Sequence, residues 1–318
     1  MSDITHREIE TNGIRMHIAE AGQGTLVVLL HGFPEGWYSW RHQLASLSEA
    51  GFHAVAPDQR GYGQTEQPAE IEKYSMLHLV GDVIGLLDAL GEPQAIVVGH
   101  DWGAPVAWNT VLWRPDRVKG VAGLSVPFRR RGLRPPLDVY REALGEGFYQ
   151  IYFQQPGVAE RELEGDVRQT LLRLLYGASG DAPAVSDMIV GESGFADALG
   201  PAPSELPHWL NEADLDHFVR QFEGTGFTGG LNWYRNSTRN WELSAAWQGA
   251  LVTPPALHMV GDRDIVYHFP GGKEGAIDLK TLVPNLTQTI VLEGCGHWIQ
   301  QERPAEVNGA LLDFVRAL

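Results

Sequence analysis

Cysteine, basic charge and long apolar runs are all scarce in this chain. Cys295 is the single cysteine, which excludes an intrachain disulfide and a cysteine-based zinc site. Lysine and arginine number 24 against 40 aspartates and glutamates, a formal net charge of −16. Neutralising phosphates takes a basic surface, so the balance argues against a nucleic-acid partner or an anionic membrane. Nowhere do about 18 apolar residues run together, so no membrane insertion is expected. The opening MSDITHREIE has no apolar signal core, which predicts a cytoplasmic protein.

The 318 residues predict about two domains at roughly 150 residues each, or one α/β domain with an insertion. A hydrophobic content of 43% gives ample material for a core. Ten Trp, nine Tyr and eleven Phe suit an apolar pocket, although aromatics fill cores just as often.

Strands and helices alternate early. Residues 14–20 (IRMHIAE) alternate apolar and polar, as in a half-buried strand. Leu26–Leu30, 52–56 and 95–98 are short continuous apolar runs, as in strands buried on both faces. Pro57 is expected to stop the second of these. Helical spacing appears at 37–50, at 75–90 with Gly91 placed as its C-cap, and at 104–113. Val118–Leu124 reads as a further strand. Strands joined by helical crossovers imply a parallel sheet covered on both faces.

The rhythm changes near Pro127. Residues 129–249 hold helical stretches and Gly/Pro breaks such as Gly200-Pro201-Ala202-Pro203. The basic run Arg129–Arg131 with Arg134 reads as a solvated segment. Strand signals return at 256–260 and 288–292, and 305–317 reads as the last helix. The simplest reading is a core of 1–128 and 250–318 interrupted by a helical insertion, 129–249, which is far too long for a plain loop. No repeats or heptads appear.

Gly99-His100-Asp101-Trp102-Gly103 lies between a buried strand and a helix, with glycines two before and two after its centre. That is the pattern of a nucleophile elbow, whose central residue takes a strained turn that exposes its side chain. Taken alone, Asp101 reads more readily as a helix cap than as a nucleophile. Two other segments favour the elbow. His31-Gly32-Phe33-Pro34 follows Leu26–Leu30 directly, where a loop supplies one backbone N–H of an oxyanion hole. The residue after the nucleophile supplies the other, so the donors are Phe33 and Trp102. His297, in Gly294-Cys295-Gly296-His297-Trp298, follows the final strand and completes the order nucleophile, acid, histidine. The acid belongs after the preceding strand, where Asp262 and Asp264 are both candidates. Their spacing opens like a calcium loop, but Val266 and Tyr267 occupy its fifth and sixth positions and Lys273 its twelfth, so that reading fails. We read no cofactor and no metal.

Aspartate in place of serine changes the chemistry. A carboxylate attacking an ester forms an anhydride that collapses back, whereas it is suited to displacement at an sp³ carbon. Asp101 would become an ester of the substrate, and His297 would direct water onto the aspartyl carbonyl. That points to opening an epoxide or displacing a halide. A leaving ether oxygen needs a proton donor, and a tyrosine in an apolar pocket is apt. Tyr152 and Tyr234 are candidates in the insertion, though each also reads as a packed aromatic.

The segments HGFPEGWYSWRHQ, APDQRGYG, VGHDWGA, YFQQPGVAE, FTGGLNWYRN and GCGHWIQQERP carry a resemblance over nearly the whole chain. It resembles epoxide hydrolases of the α/β-hydrolase fold, both bacterial A-type enzymes and the hydrolase domain of animal soluble epoxide hydrolase. The resemblance implies a mostly parallel central sheet with helices on both faces and an inserted helical cap. It implies Asp101 as nucleophile, His297 as general base and Tyr152 and Tyr234 as ring-opening acids. It favours Asp264 over Asp262 as the histidine's partner. It also implies oxyanion donors at Phe33 and Trp102, a cis Phe33–Pro34 bond, and substrate contacts from Trp102, Phe33 and Pro34. The implied partners are a small lipophilic epoxide and water; whether the chain forms a homodimer is open.

Rival readings fit less well. Haloalkane dehalogenases usually carry Asn or Glu after His-Gly, where this chain has Phe33. Fluoroacetate dehalogenases carry Arg after the nucleophile, where it has Trp102. An esterase needs serine at 101, and a pure binding protein has no need of Asp101, His297 and Asp264. Asn236-Ser237-Thr238 and Asn285-Leu286-Thr287 match a glycosylation pattern, which we read as chance.

Overall fold

The computed structural model describes residues 4–192 and 194–318. The first three residues of the MSDITHREIE opening lie outside that range. The chain builds one eight-stranded sheet of order β1-β2-β4-β3-β5-β6-β7-β8. Its strands are β1 (Thr5–Thr11), β2 (Ile14–Ala21), β3 (Leu26–Leu30), β4 (His53–Pro57), β5 (Ala95–His100), β6 (Val118–Leu124), β7 (Ala256–Gly261) and β8 (Leu286–Leu292). From β4 through β8 neighbouring strands are parallel. The β1–β2 and β2–β4 pairs are antiparallel.

The β1–β2 hairpin is an addition to the sequence reading. Asn12 and Gly13 turn it with φ of 47° and 76°, as a two-residue turn of matching twist requires. Strand β1 gives no periodic signal because THREIET lies at the sheet edge and is mostly exposed. Pro57 ends β4 from inside the strand, as its last residue.

Period-two alternation sorts the side chains of the central strands. Val27 and Leu29 of β3 face one side, with Ile96 and Val98 of β5. There they meet Leu44 and Leu47 of helix α1 (Arg41–Glu49) and Leu311 and Phe314 near the chain end. Leu26, Val28 and Leu30 face the other side. They meet Leu79, Val83 and Leu86 of α2 (Met76–Leu90) and Val106 and Val111 of α3 (Gly103–Trp113). Each such side chain contributes roughly 1.5–3 kcal/mol by leaving water. Gly91, left-handed at φ 75°, closes α2 as expected. The helix expected at 37–50 divides into a 3-10 turn, Trp37–Trp40, followed by α1.

Between β6 and β7 the chain is helical: α4 (Pro136–Leu144), α5 (Tyr149–Tyr152), α6 (Val158–Leu163), α7 (Val167–Gly177), α8 (Phe195–Leu199), α9 (Glu212–Thr225), α10 (Thr228–Arg235) and α11 (Ser237–Leu243). Four helices complete the fold: α12 (Ile265–His268), α13 (Gly272–Ile277), α14 (Ile299–Glu302) and α15 (Pro304–Arg316). Arg129 and Arg130 are exposed, as expected. Arg131 is not simply solvated. Its guanidinium lies 4 Å above the Trp241 ring (3.9 Å to the centroid) and donates to the Trp241 carbonyl and to Gln248. It thereby ties the two ends of the insertion together. No helix among the described residues is long and apolar enough to cross a membrane.

Candidate active site

The site forms where the parallel strands end, the usual position for ligands in such sheets. Strand β5 stops at His100, and Asp101 adopts a left-handed φ of 49° before α3 begins at Gly103. That backbone costs of order 1–3 kcal/mol in a non-glycine residue. The turn closes only because its flanks are bare. A Cβ on Gly99 would run into the Gly103 carbonyl, and one on Gly103 would run into that of Leu30. Gly32 has the same role in the facing loop, where a Cβ would strike the Asp101 side chain.

Close approach of that loop brings the Phe33 amide to Asp101 Oδ1, a donor distance of 2.8 Å. The Phe33–Pro34 bond is cis. On the other side of the carboxylate, His297 Nε2 lies 3.4 Å from Oδ2. His297 Nδ1 is 2.9 Å from Asp264 Oδ1. Asp264 is wholly buried, and the same oxygen accepts the Val266 amide at 2.8 Å. Asp262 instead accepts the Gly294 amide at 2.8 Å, bracing the turn before the histidine.

Burial alone would depress the His297 pKa. The Asp264 carboxylate and the hydrogen bond to Asp101 outweigh burial and hold it well above the ordinary imidazole range. Burial alone would raise Asp264, but the facing His297 wins and holds its carboxyl below the usual range. The two behave as a buried ion pair.

Three partners in this region escaped the sequence reading. Ser125, at φ 71°, places its hydroxyl 3.2 Å from His297 Nδ1; nothing in its neighbours marks it. Glu35 and His100 form a second buried pair at 2.8 Å. Glu35 also accepts from the Gly32 amide and from Gln300 and Gln301, while His100 Nε2 donates to the His297 carbonyl at 2.7 Å. This network joins the Phe33 loop, the elbow and the histidine loop. Both residues stand inside motifs already singled out, HGFPEG and GHD, but their contact spans 65 positions.

The tyrosines need a correction. Tyr234, buried on α10, faces the cavity above Asp101, its ring edge-on to Trp102. Tyr152 does not reach that cavity. Its hydroxyl donates to Glu162 at 2.8 Å, and burial together with Glu162 pushes its pKa up to about 12. Tyr149 is the phenol that reaches the site, its ring 5.8 Å from that of Tyr234. Tyr149 and Phe153, at the first position and the C-cap of α5 and four residues apart, both line the cavity. Tyr152 is turned away from it. Burial and the Asp101 charge raise both Tyr149 and Tyr234 far above the usual phenol range.

The remaining walls are apolar: Phe33, Ile265, Val266 and Trp298 from the core, and Leu174, Ala178, Met188, Phe195 and Leu199 from the insertion. Trp102 and Pro34 are not among them. Trp102 is packed edge-on against Trp233 and Tyr234, and Pro34 is buried within its loop. A wider groove, lined by Thr5, Glu20, His53 and Glu92, opens at the other end of the strands and holds no nucleophile–base pair. Among the described residues, no three His, Cys, Asp or Glu side chains are grouped to hold a metal.

Known proteins are similar to this chain in sequence and in fold. A family model described as "alpha/beta hydrolase fold" matches residues 25–189. Epoxide hydrolase A of Mycobacterium tuberculosis is 46% identical, covering 99% of this chain and 98% of its own. Epoxide hydrolase 2 of Siraitia grosvenorii is 47% identical, covering 99% of both. The crystal structure of epoxide hydrolase A from Mycobacterium thermoresistibile superposes with a TM-score of 0.93 at 48% identity, covering 99% of this chain and 98% of that one. The chain belongs to the α/β-hydrolase fold family. Within that family it is an epoxide hydrolase, an enzyme that adds water across a strained three-membered ether.

Proposed function

We propose that the reaction runs in two steps through an ester on Asp101. A small lipophilic epoxide enters the apolar cavity. Asp101 Oδ2 bonds to a ring carbon while the C–O bond breaks, and the released oxygen takes a proton from the Tyr149–Tyr234 pair. Both phenols are neutral before this step, because burial and the Asp101 charge oppose their ionisation. Esterification removes that charge, so the tyrosinate becomes easier to form as the ring opens.

The same neutralisation acts on His297. Asp101 is one of the groups that raise its pKa. Once Asp101 is an ester that support is gone, the imidazolium gives up its proton, and net transfer of that proton restores the tyrosine. Neutral His297 then takes a proton from water, which attacks Cγ of Asp101. The charge that develops on Oδ1 meets the Phe33 amide, with the Trp102 amide at the head of α3 as second donor. Collapse expels the diol oxygen, which takes the acid proton and regenerates the carboxylate. Epoxide and water go in and a vicinal diol comes out.

The observation that carries this reading is a single carboxylate held between an amide donor and a histidine, facing a cavity with two buried phenols. We also read residues 129–249 as a cap that completes the pocket, since it supplies both phenols and six of the apolar lining residues. The acidic composition and single buried cysteine support a cytoplasmic enzyme. The test is one turnover with enzyme in excess in heavy-oxygen water. Solvent label is expected in Asp101 and absent from the first diol. Label in the diol and none in Asp101 would mean that water attacks the ring directly.

A further inference from the structure

Glu302, at the end of α14, is buried and has no part in the chemistry above. Among the described residues no lysine or arginine forms an ion pair with it. Its carboxylate is instead filled by three backbone amides. Gly180 and Gly296 donate to Oε2 at 2.9 and 2.8 Å, and Trp298 donates to Oε1 at 3.0 Å. Gly296 and Trp298 flank His297 on either side. Gly180 belongs to the insertion, just past α7. One buried charge therefore joins the histidine loop to a wall of the cavity.

The surrounding contacts have the same direction. The His297 amide donates to the Ala178 carbonyl at 2.8 Å. The Trp298 indole donates to the Leu175 carbonyl at 2.7 Å. A Cβ on Gly296 would overlap Ser179 and Gly180, so the two backbones lie against each other. Leu174 and Ala178 of this stretch line the cavity. An isolated buried carboxylate is costly unless hydrogen-bonded; here three amide bonds, charge-assisted and stronger than neutral ones, fix the geometry.

The geometry points to Glu302 as a positioning residue for the hydrolytic step, holding His297 in reach of the ester through the backbone on both sides of it. This rests on the two-step reading. Ring opening uses Asp101, the Phe33 amide and the two phenols, none of which touches Glu302. Ester hydrolysis depends on where His297 Nε2 stands, already 3.4 Å from the carboxylate. The two steps should therefore respond differently to loss of this clamp, whereas a residue with only a structural role would affect both alike.

The test follows formation and decay of the covalent adduct by rapid quench and intact mass, with a styrene-oxide-type aryl epoxide and enzyme in excess. In Glu302→Gln, adduct should form at the wild-type rate and decay about 10- to 100-fold more slowly, the scale of a small misplacement of a catalytic group. Gly180→Ala keeps the carboxylate in the sequence but forces the turn after α7 against the Gly294 carbonyl and Glu302 Oε2, and it should change the same ratio. It also serves as the test if Glu302→Gln does not fold. Unchanged decay, or equal loss in both steps, would overturn the assignment. Failure of the two-step reading has a different signature: no adduct even in His297→Gln.

Discussion

The rings of Tyr149 and Tyr234 meet at 5.8 Å with an interplanar angle of 74°, both on the cavity above Asp101. A leaving oxygen between them has two phenols at hand, and Tyr152 has none of this access. Tyr149→Phe and Tyr234→Phe should each slow adduct formation by about 10²-fold, the lower end for a general acid. The double variant should nearly stop it. Tyr152→Phe should form adduct at close to the wild-type rate. Single-turnover kinetics on the four variants decides whether α5 contributes its first or its last tyrosine.

His297→Gln should still be alkylated and should hold the product as an ester. Intact mass should rise by the mass of one epoxide and stay there, with the modified peptide containing Asp101. A variant that returns to its starting mass as fast as wild type would remove His297 as the base.

Glu35 and His100 are wholly buried and share one charge-assisted hydrogen bond. Glu35→Ala would strand His100 and the side chains of Gln300 and Gln301 without their acceptor. We expect a loss of about 3–5 kcal/mol in urea unfolding, as for other buried pairs broken on one side. Glu35→Gln, which keeps an acceptor, should lose less. Equal stability of Glu35→Ala and wild type would show that the network carries no net stabilisation.

The Asp264–His297 pair sets a pH window. Asp264 is held below its ordinary pKa, so its contribution is complete above about 4 and is lost as pH falls through the lower folded value. His297 is held above its ordinary value, so its contribution is complete below about 6.5 and is lost as pH rises through the higher folded value. The stability difference between wild type and Asp264→Asn should peak between those limits and shrink on both sides. A flat difference from pH 3 to 9, roughly spanning both limits, would contradict the pairing.

Cys295 is buried, and burial pushes its thiol pKa up. Thiolate is the reactive form, so alkylation by iodoacetamide should be slow in the native enzyme and should rise along the unfolding curve. Rapid labelling of folded protein would show that the strand-to-histidine turn opens locally.

Much of this was legible in the sequence because backbone geometry leaves few options. Gly99 and Gly103 are demanded by the elbow, and continuous apolar runs such as Leu26–Leu30 follow from a sheet covered on both faces. Strand β1 was not legible, because an exposed edge needs no apolar face. Motif order left Asp262 and Asp264 both open as partners of His297, and only the family resemblance favoured Asp264; the structure separates the two by what each carboxylate touches. Tyr149 and Tyr152 share one helical turn, and spacing does not reveal which way a four-residue helix is rotated. Trp102 and Pro34 were expected at the substrate for their position in the motifs, but packing turned one onto Tyr234 and buried the other. Ser125 reaches His297 across 172 positions, a contact that only the assembled sheet creates.

The greasy lining supplied by Leu174, Met188, Phe195 and Leu199 has a directional effect on traffic. An ether with little hydrogen-bonding demand loses little by leaving solvent for such a chamber. Its product has two hydroxyls, and each costs about 1–3 kcal/mol to keep there without a partner. The same lining that favours entry of the ether therefore disfavours any diol hydroxyl turned toward it rather than toward Tyr149, Tyr234 or Asp101.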